Sequence, residues 1–207
     1  MTANRLVNLF LLSAILMLGG CSFATNYNPA HIQDTEAAPI FKADGKCLIY
    51  TDVGDDEYIY RGSPTSLTGG GTNLSMEIGN ITKQIAVRVF REFFSEGVDA
   101  RNVYDQKEIY AAIVMPKVTY LNYEYNSLRN VGFAITPQVN LGLSVRLLDK
   151  NGRIYIEKEY ESGVVNGDTY VIALESPGEK INKTVHLVLY DLMVQAAQDI
   201  VADIRAR

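Results

Sequence analysis

The stretch that most constrains the fold is Val139 to Leu147. Val139, Leu141, Leu143, Val145 and Leu147 alternate with Asn140, Gly142, Ser144 and Arg146. A strict period of two puts one set of side chains on a buried face and the other on a wet one. Asp149-Lys150-Asn151-Gly152 then reads as a hairpin turn, because Asn-Gly and Asp-Gly pairs supply the backbone angles such turns need. Arg153 to Ser162 returns, with Ile154 and Ile156 on one face and Glu157, Glu159 and Glu161 on the other. These three glutamates share one strand without a cleft between them, so they read as a solvated face and not as paired acid and base.

Around this hairpin the chain supplies further strands. Lys46 to Val53 is a short apolar run ending in a Gly54-Asp55-Asp56-Glu57 turn, and Tyr58-Ile59-Tyr60 follows as a second arm. Val98 to Tyr104 is weaker. Ile109 to Tyr125 is long, and Pro116 within it implies an edge position or a bulge. Thr169 to Leu174 adds a last short strand.

Two helices complete the pattern. From about Leu74 to Ser95, Leu74, Ile78, Ile81, Ile85, Val89 and Phe93 recur at steps of three and four. Asn73 or Thr72 is the expected cap and Gly97 the stop. Gly79 weakens the interior of this helix, and close approach of another backbone would explain it. The second helix opens at Ser176-Pro177-Gly178-Glu179, the pattern of a capping box. Ile181, Val185, Leu189, Leu192, Ala196, Ile200 and Ile204 form its stripe, and Leu187, Val194 and Val201 widen it. Such a wide stripe means a heavily buried helix or one partly open to a partner. Together these elements predict an α+β fold, a mainly antiparallel sheet with two amphipathic helices packed on one face as a two-layer sandwich. A single domain over 45–207 is expected.

The N-terminus predicts location. Arg5 precedes an apolar run from Leu6 to Leu18, too short for an ordinary membrane-spanning helix but of the length of a signal peptide core. Leu18-Gly19-Gly20-Cys21 closes it and resembles the lipobox of bacterial lipoproteins. The resemblance implies that residues 1–20 are removed. Cys21 then becomes the N-terminus, carrying a diacylglycerol thioether and an amide-linked acyl chain. Burial of acyl chains at about 0.8 kcal/mol per methylene makes such anchorage effectively permanent. Ser22, standing where an Asp would retain a Gram-negative lipoprotein at the inner membrane, implies the outer membrane with the domain facing the periplasm. Residues 21–44 read as the lipidated end and a tether, poorly ordered unless docked.

Removing residues 1–20 takes away one basic residue, Arg5, so the formal charge moves from −5 to −6. A mildly acidic chain offers no footprint for nucleic acid, and the lipid, not a basic patch, would hold it at the membrane. With Cys21 acylated, Cys47 stands alone in an apolar strand and reads as a buried, inert thiol; an intermolecular disulfide is the alternative. The two histidines, His31 in the tether and His186 beside the apolar stripe, have no second ligand at metal spacing. His186 reads as a partly exposed helix residue. No catalytic motif, metal site or cofactor site is found, and no enzyme is expected.

Two candidate contact features remain. Gly69-Gly70-Gly71-Thr72-Asn73 precedes the first helix, and a glycine-rich loop at a helix N-terminus can bind an anion, although the lysine of a phosphate-binding loop is missing. Tyr120, Tyr123 and Tyr125 stand out among 13 tyrosines in a chain without tryptophan, and tyrosines on an open sheet suit a protein or glycan contact. The order of elements resembles the small α/β accessory lipoproteins of the Gram-negative envelope, a group that includes auxiliary subunits of transport and assembly machines. The expected role is a non-enzymatic accessory or scaffold subunit bound to an envelope protein or to another copy of itself. The alternative is a module binding a small anionic ligand or cell-wall glycan.

Overall fold

The computed structural model describes residues 22–33, 35, 39, 41–65, 72–103, 107–126, 134–171 and 176–206. Cys21 and Gly69 to Gly71 lie outside them. The fold is α+β, built on the expected hairpin. Strand β8 (Pro137–Leu148) pairs antiparallel with β6 (Ala112–Tyr125) on one side and β9 (Ile154–Glu161) on the other. The β8–β9 turn is closed by the Asp149 carboxylate, which accepts from the backbone N–H groups of Asn151 and Arg153, with Gly152 at φ +78°. These two N–H donors hold the Asp149 carboxyl below its usual range.

The large sheet is mainly antiparallel, as expected, but mixed at one side. Strand β2 (Cys47–Tyr50) lies between β6 and β5 (Val98–Arg101) and runs parallel to both. The reason is the helix between β2 and β5: a helical crossover returns the chain in the same direction. A second sheet joins β1 (Ser22–Thr25), β4 (Asn73–Met76) and β3 (Tyr60–Gly62), with β1 and β4 parallel. Short strands β10 (Val165–Asn166) and β11 (Tyr170–Val171) pair with β8 and with β7 (Ala134–Ile135).

A register shift between Val118 and Tyr120 changes which residues of β6 point inward. Before it, Ala112 and Val114 join the core; after it, Leu121, Tyr123 and Tyr125 do. One extra residue in a strand exchanges its faces. Pro116 lies just beyond Val114, the last residue of β6 in register with β2, so a lost donor there breaks no ladder on that side.

Helices α2 (Ile78–Phe93) and α3 (Pro177–Arg205) cover the face bearing Val139 to Leu147. The expected start of α2 at Leu74 is four residues early: Leu74 to Met76 form β4, and Ile78 opens the helix. The step from Leu74 to Ile78 fits a helix, but Leu74 and Met76, two residues apart, are both buried, as alternation in a strand requires, and β4 pairs with β1 and β3. One turn of helix, α1 (Val53–Asp56), stands where the turn was expected. Its Asp55 carbonyl would lie 2.0 Å from a Cβ on Gly79, so Gly79 is required by the close backbone approach.

Candidate functional site

Within the segment expected to be a tether, Ser22 to Gln33 are docked on the body. Ser22 to Thr25 form a strand, and residues 29–32 make a 3-10 turn whose Ile32 is fully buried. Phe23 packs on Gly178, where a Cβ would lie 2.6 Å from that of Phe23. The segment docks because both its apolar side chains and its backbone find partners. Asn182 Nδ2 donates to the Asn26 carbonyl at 3.0 Å, and Arg88 Nη2 donates to the carbonyls of Ile32, Gln33 and Thr35 at 2.6, 3.3 and 3.2 Å.

At the centre of this latch is His186, fully buried and not partly exposed as its helical position suggests. Its Nδ1 lies 2.8 Å from the Asn182 carbonyl four residues earlier, an acceptor only, so Nδ1 carries the proton. Nε2 therefore accepts, from the Asn28 backbone N–H at 3.1 Å. Both ring nitrogens are used only when the ring is neutral. Burial drives the His186 pKa down to about 4, with the Asn182 carbonyl opposing it. Tyr27 stacks on the ring at 5.6 Å, and His31 meets it edge-on at 4.9 Å.

His31 in turn reaches α3. Its Nε2 lies 2.7 Å from Glu179 Oε1, and Asn28 Nδ2 donates to the same oxygen at 3.2 Å. Glu179 thus grips the N-terminal segment, and the capping box expected with Ser176 does not form: Ser176 makes no side-chain cap bond. A carboxylate near the first turn favours the helix through the N–H dipoles either way. This cluster of Asn28, His31, Glu179, Asn182 and His186 was invisible as a motif because 148 residues separate His31 from Glu179. The available signal was scarcity: the only two histidines of the chain meet.

The other candidates fall differently. Thr72 precedes β4, and Asn73 begins it, with Asn73 Oδ1 accepting from Ser63 Oγ at 2.7 Å. Strand β4 stands between Thr72 and the helix, so Thr72 and Asn73 do not lead directly into a helix N-terminus, and Gly69 to Gly71 lie outside the described residues. Tyr120, Tyr123 and Tyr125 do not share a face. Tyr123 and Tyr125 are each 3 % exposed and belong to the core, where burial pushes the Tyr123 phenol up to about 12. Tyr120 lies over Gly142 on the opposite face, with its hydroxyl donating to Asn140 Oδ1. Cys47 is a free, fully buried thiol whose pKa burial raises well above the ordinary value.

A cleft of about 240 Å³ opens beyond β2, lined by Thr51, Asp55, Tyr58, Gly79, Lys117 and Thr119. Lys117 Nζ lies 2.8 Å from Asp55 Oδ1, so its cation is neutralised within the cleft. A broader hollow of about 560 Å³ is lined by Ile109, Tyr110, Leu148, Asp149, Lys150 and Tyr155. Ile109 is 94 % exposed, and Tyr155 and Ile154 stand out of the neighbouring strand. Beneath lies a small cluster on the sheet face away from the helices: Leu48, Ile113 and Leu148 with Tyr50 and Tyr110. Among the described residues, no group of His, Cys, Asp or Glu is arranged to hold a metal ion, and no helix is long and apolar enough to cross a membrane.

No family model matches the chain, and no curated protein matches it. Among solved structures, protein XCC0632 from Xanthomonas campestris is similar at 12 % identity and a TM-score of 0.47, over 87 % of this chain and 91 % of that one. A minor lipoprotein from Acinetobacter baumannii is similar at 10 % identity and a TM-score of 0.36, over 76 % and 92 %. An uncharacterized lipoprotein B from Nitrosomonas europaea is similar at 13 % identity and a TM-score of 0.33, over 79 % and 86 %.

Proposed function

We propose that this chain is a lipid-anchored protein of the bacterial envelope, held at the outer membrane through Cys21 with its domain in the periplasm. Its role in this reading is a non-enzymatic accessory or scaffold subunit of an envelope assembly or transport complex. The observation that carries it is the Leu18 to Cys21 lipobox at the end of an apolar signal segment. The exposed Ile109 and Tyr155 around the distal hollow support a protein partner, since exposed apolar patches mark contact surfaces. The neutralised cleft beside Lys117 and the strand that begins at Asn73 favour this reading over capture of an anion.

The test is made in cells. A photo-crosslinking residue at Tyr155 in the full chain should capture one envelope component reproducibly, and Ile109→Asp should remove that product. Mass spectrometry of the N-terminus should show acyl chains on Cys21, and Cys21→Ser should release the protein from the membrane fraction. An unmodified Cys21 would refute the anchor. No crosslink from Tyr155 in native membranes would refute the accessory role.

A further inference from the structure

We infer that one defined pole of the domain is apposed directly to the bilayer surface, with no flexible spacer between lipid and fold. This rests on the lipidation of Cys21 proposed above. Consecutive Cα atoms are about 3.8 Å apart, so an acylated Cys21 sits one residue from Ser22, and Ser22 is already the first residue of β1. A free tether over 22–44 would instead have an r.m.s. span of about 25 Å and let the domain turn in any direction.

The strand cannot easily lift away. Ser22, Phe23, Ala24 and Thr25 are in parallel register with Asn73 to Met76, the Glu77 N–H donates to the Thr25 carbonyl at 3.1 Å, and Phe23 packs on Gly178. Beyond the strand, Asn182, His186 and Arg88 grip the following backbone. Releasing the anchor from the body means breaking all of these.

The pole is fixed by the same contacts. Ser22 is level with Asn73; Gly62, paired with Leu74, accepts from the Tyr123 hydroxyl; Tyr125 is opposite Pro137. The exposed groups here include the hydroxyls and amides of Ser22, Ser63, Thr65 and Asn73 and the Arg61 guanidinium, with the Glu124 carboxylate held by Thr65. Among the described residues of this three-stranded sheet Arg61 is the one cation, and a single cation does not demand anionic lipid. The β8–β9 hairpin lies at the other end of β8, about 40 Å away for twelve residues of strand. The apolar hollow around Ile109 and Tyr155 therefore faces away from the membrane, toward the periplasmic space.

The test uses the full acylated protein in phosphatidylcholine vesicles carrying headgroup quencher lipids. A fluorophore is attached through Thr65→Cys at the near pole or Lys150→Cys on the distal hairpin, both exposed. The Thr65 position should lose at least half its emission and the Lys150 position essentially none, with no change when phosphatidylglycerol is added. Inserting twelve Gly-Ser residues between Cys21 and Ser22 should restore the Thr65 emission. Equal quenching at both positions, or none at Thr65 with acyl chains confirmed by mass, would overturn the inference and leave the anchor standing. Absence of acyl chains would refute the lipidation on which it rests.

Discussion

Replacing His186 with phenylalanine removes the only fully buried titratable ring of the latch while keeping an aromatic side chain in its place. In the native protein both nitrogens are engaged by groups that demand a neutral ring, the Asn182 carbonyl at Nδ1 and the Asn28 N–H at Nε2. The native pKa of about 4 lies below the unfolded value of roughly 6.5. Protons therefore bind the unfolded chain first as pH falls, and stability is lost on acidification. The contribution is complete above about pH 6.5, is reduced by about 1.4 kcal/mol at pH 5.5, and is lost by about 3 kcal/mol once the pH is below both values.

The groups facing the ring are Tyr27, His31 edge-on, and Glu179 through His31. All remain in His186→Phe. The variant starts less stable at pH 7.5, because a buried N–H and a carbonyl lose a partner at about 1–3 kcal/mol each. Its stability should then fall less with acid. Urea unfolding of both proteins from pH 7.5 to pH 5.5 should narrow the gap between their midpoints by about 0.7 M, taking a slope of about 2 kcal/mol per molar. Midpoints that fall in parallel over this range would show that His186 does not carry the pH dependence and would refute the neutral-ring argument.

Three further outcomes follow from the packing. Gly79→Ala places a Cβ 2.0 Å from the Asp55 carbonyl oxygen and 2.7 Å from that of Asp56; overpacking of about 1–3 kcal/mol should outweigh the helix gain of about 1 kcal/mol, and an unchanged or raised melting temperature would contradict the close approach. Arg88→Ala removes the donor shared by the Ile32, Gln33 and Thr35 carbonyls; a loss of about 2 kcal/mol from charge-assisted bonds should speed amide exchange over residues 29–35 by about 30-fold, and unchanged exchange would show that the segment is held without it. Cys47, buried with its pKa raised, should resist a thiol reagent in the native state and react fully in denaturant; rapid native labelling would place it at the surface.

How much could be read in advance differs from element to element. The β8–β9 hairpin was legible because its alternation and its Asp-Lys-Asn-Gly turn act within a few residues. The stripe of α3 was legible too, yet its width had two readings. The structure buries Val185, Leu189 and Val201 against the sheet, α2 and the N-terminal segment and leaves Leu187 and Val194 half-buried. Tyr123 and Tyr125 were misjudged because aromatic side chains favour exposed and buried strand faces alike. The start of α2 was misjudged because the spacing of Leu74 to Ile78 fits a helix, whereas burial of both Leu74 and Met76 follows from strand pairing with β1 and β3. Among the functional candidates, the Leu18 to Cys21 pattern is readable because it is contiguous, and its lipidation is the proposal made above. The histidine latch is not, because its parts are assembled from opposite ends of the sequence.

Local chemistry in the sequence thus determined the hairpin and the two amphipathic helices. Each depends on side-chain period, turn geometry or a short contiguous pattern, which neighbouring residues specify by themselves. Only the tertiary structure decided that β2 lies parallel between β5 and β6, that the bulge near Thr119 turns Tyr123 and Tyr125 inward, and that Ser22 to Ile32 is a docked strap and not a tether. Those outcomes depend on which distant surfaces meet. A polar segment such as Asn26 to Asn28 stays at the surface or docks according to whether Asn182 and His186, some 156 residues away, offer it hydrogen bonds worth more than water's.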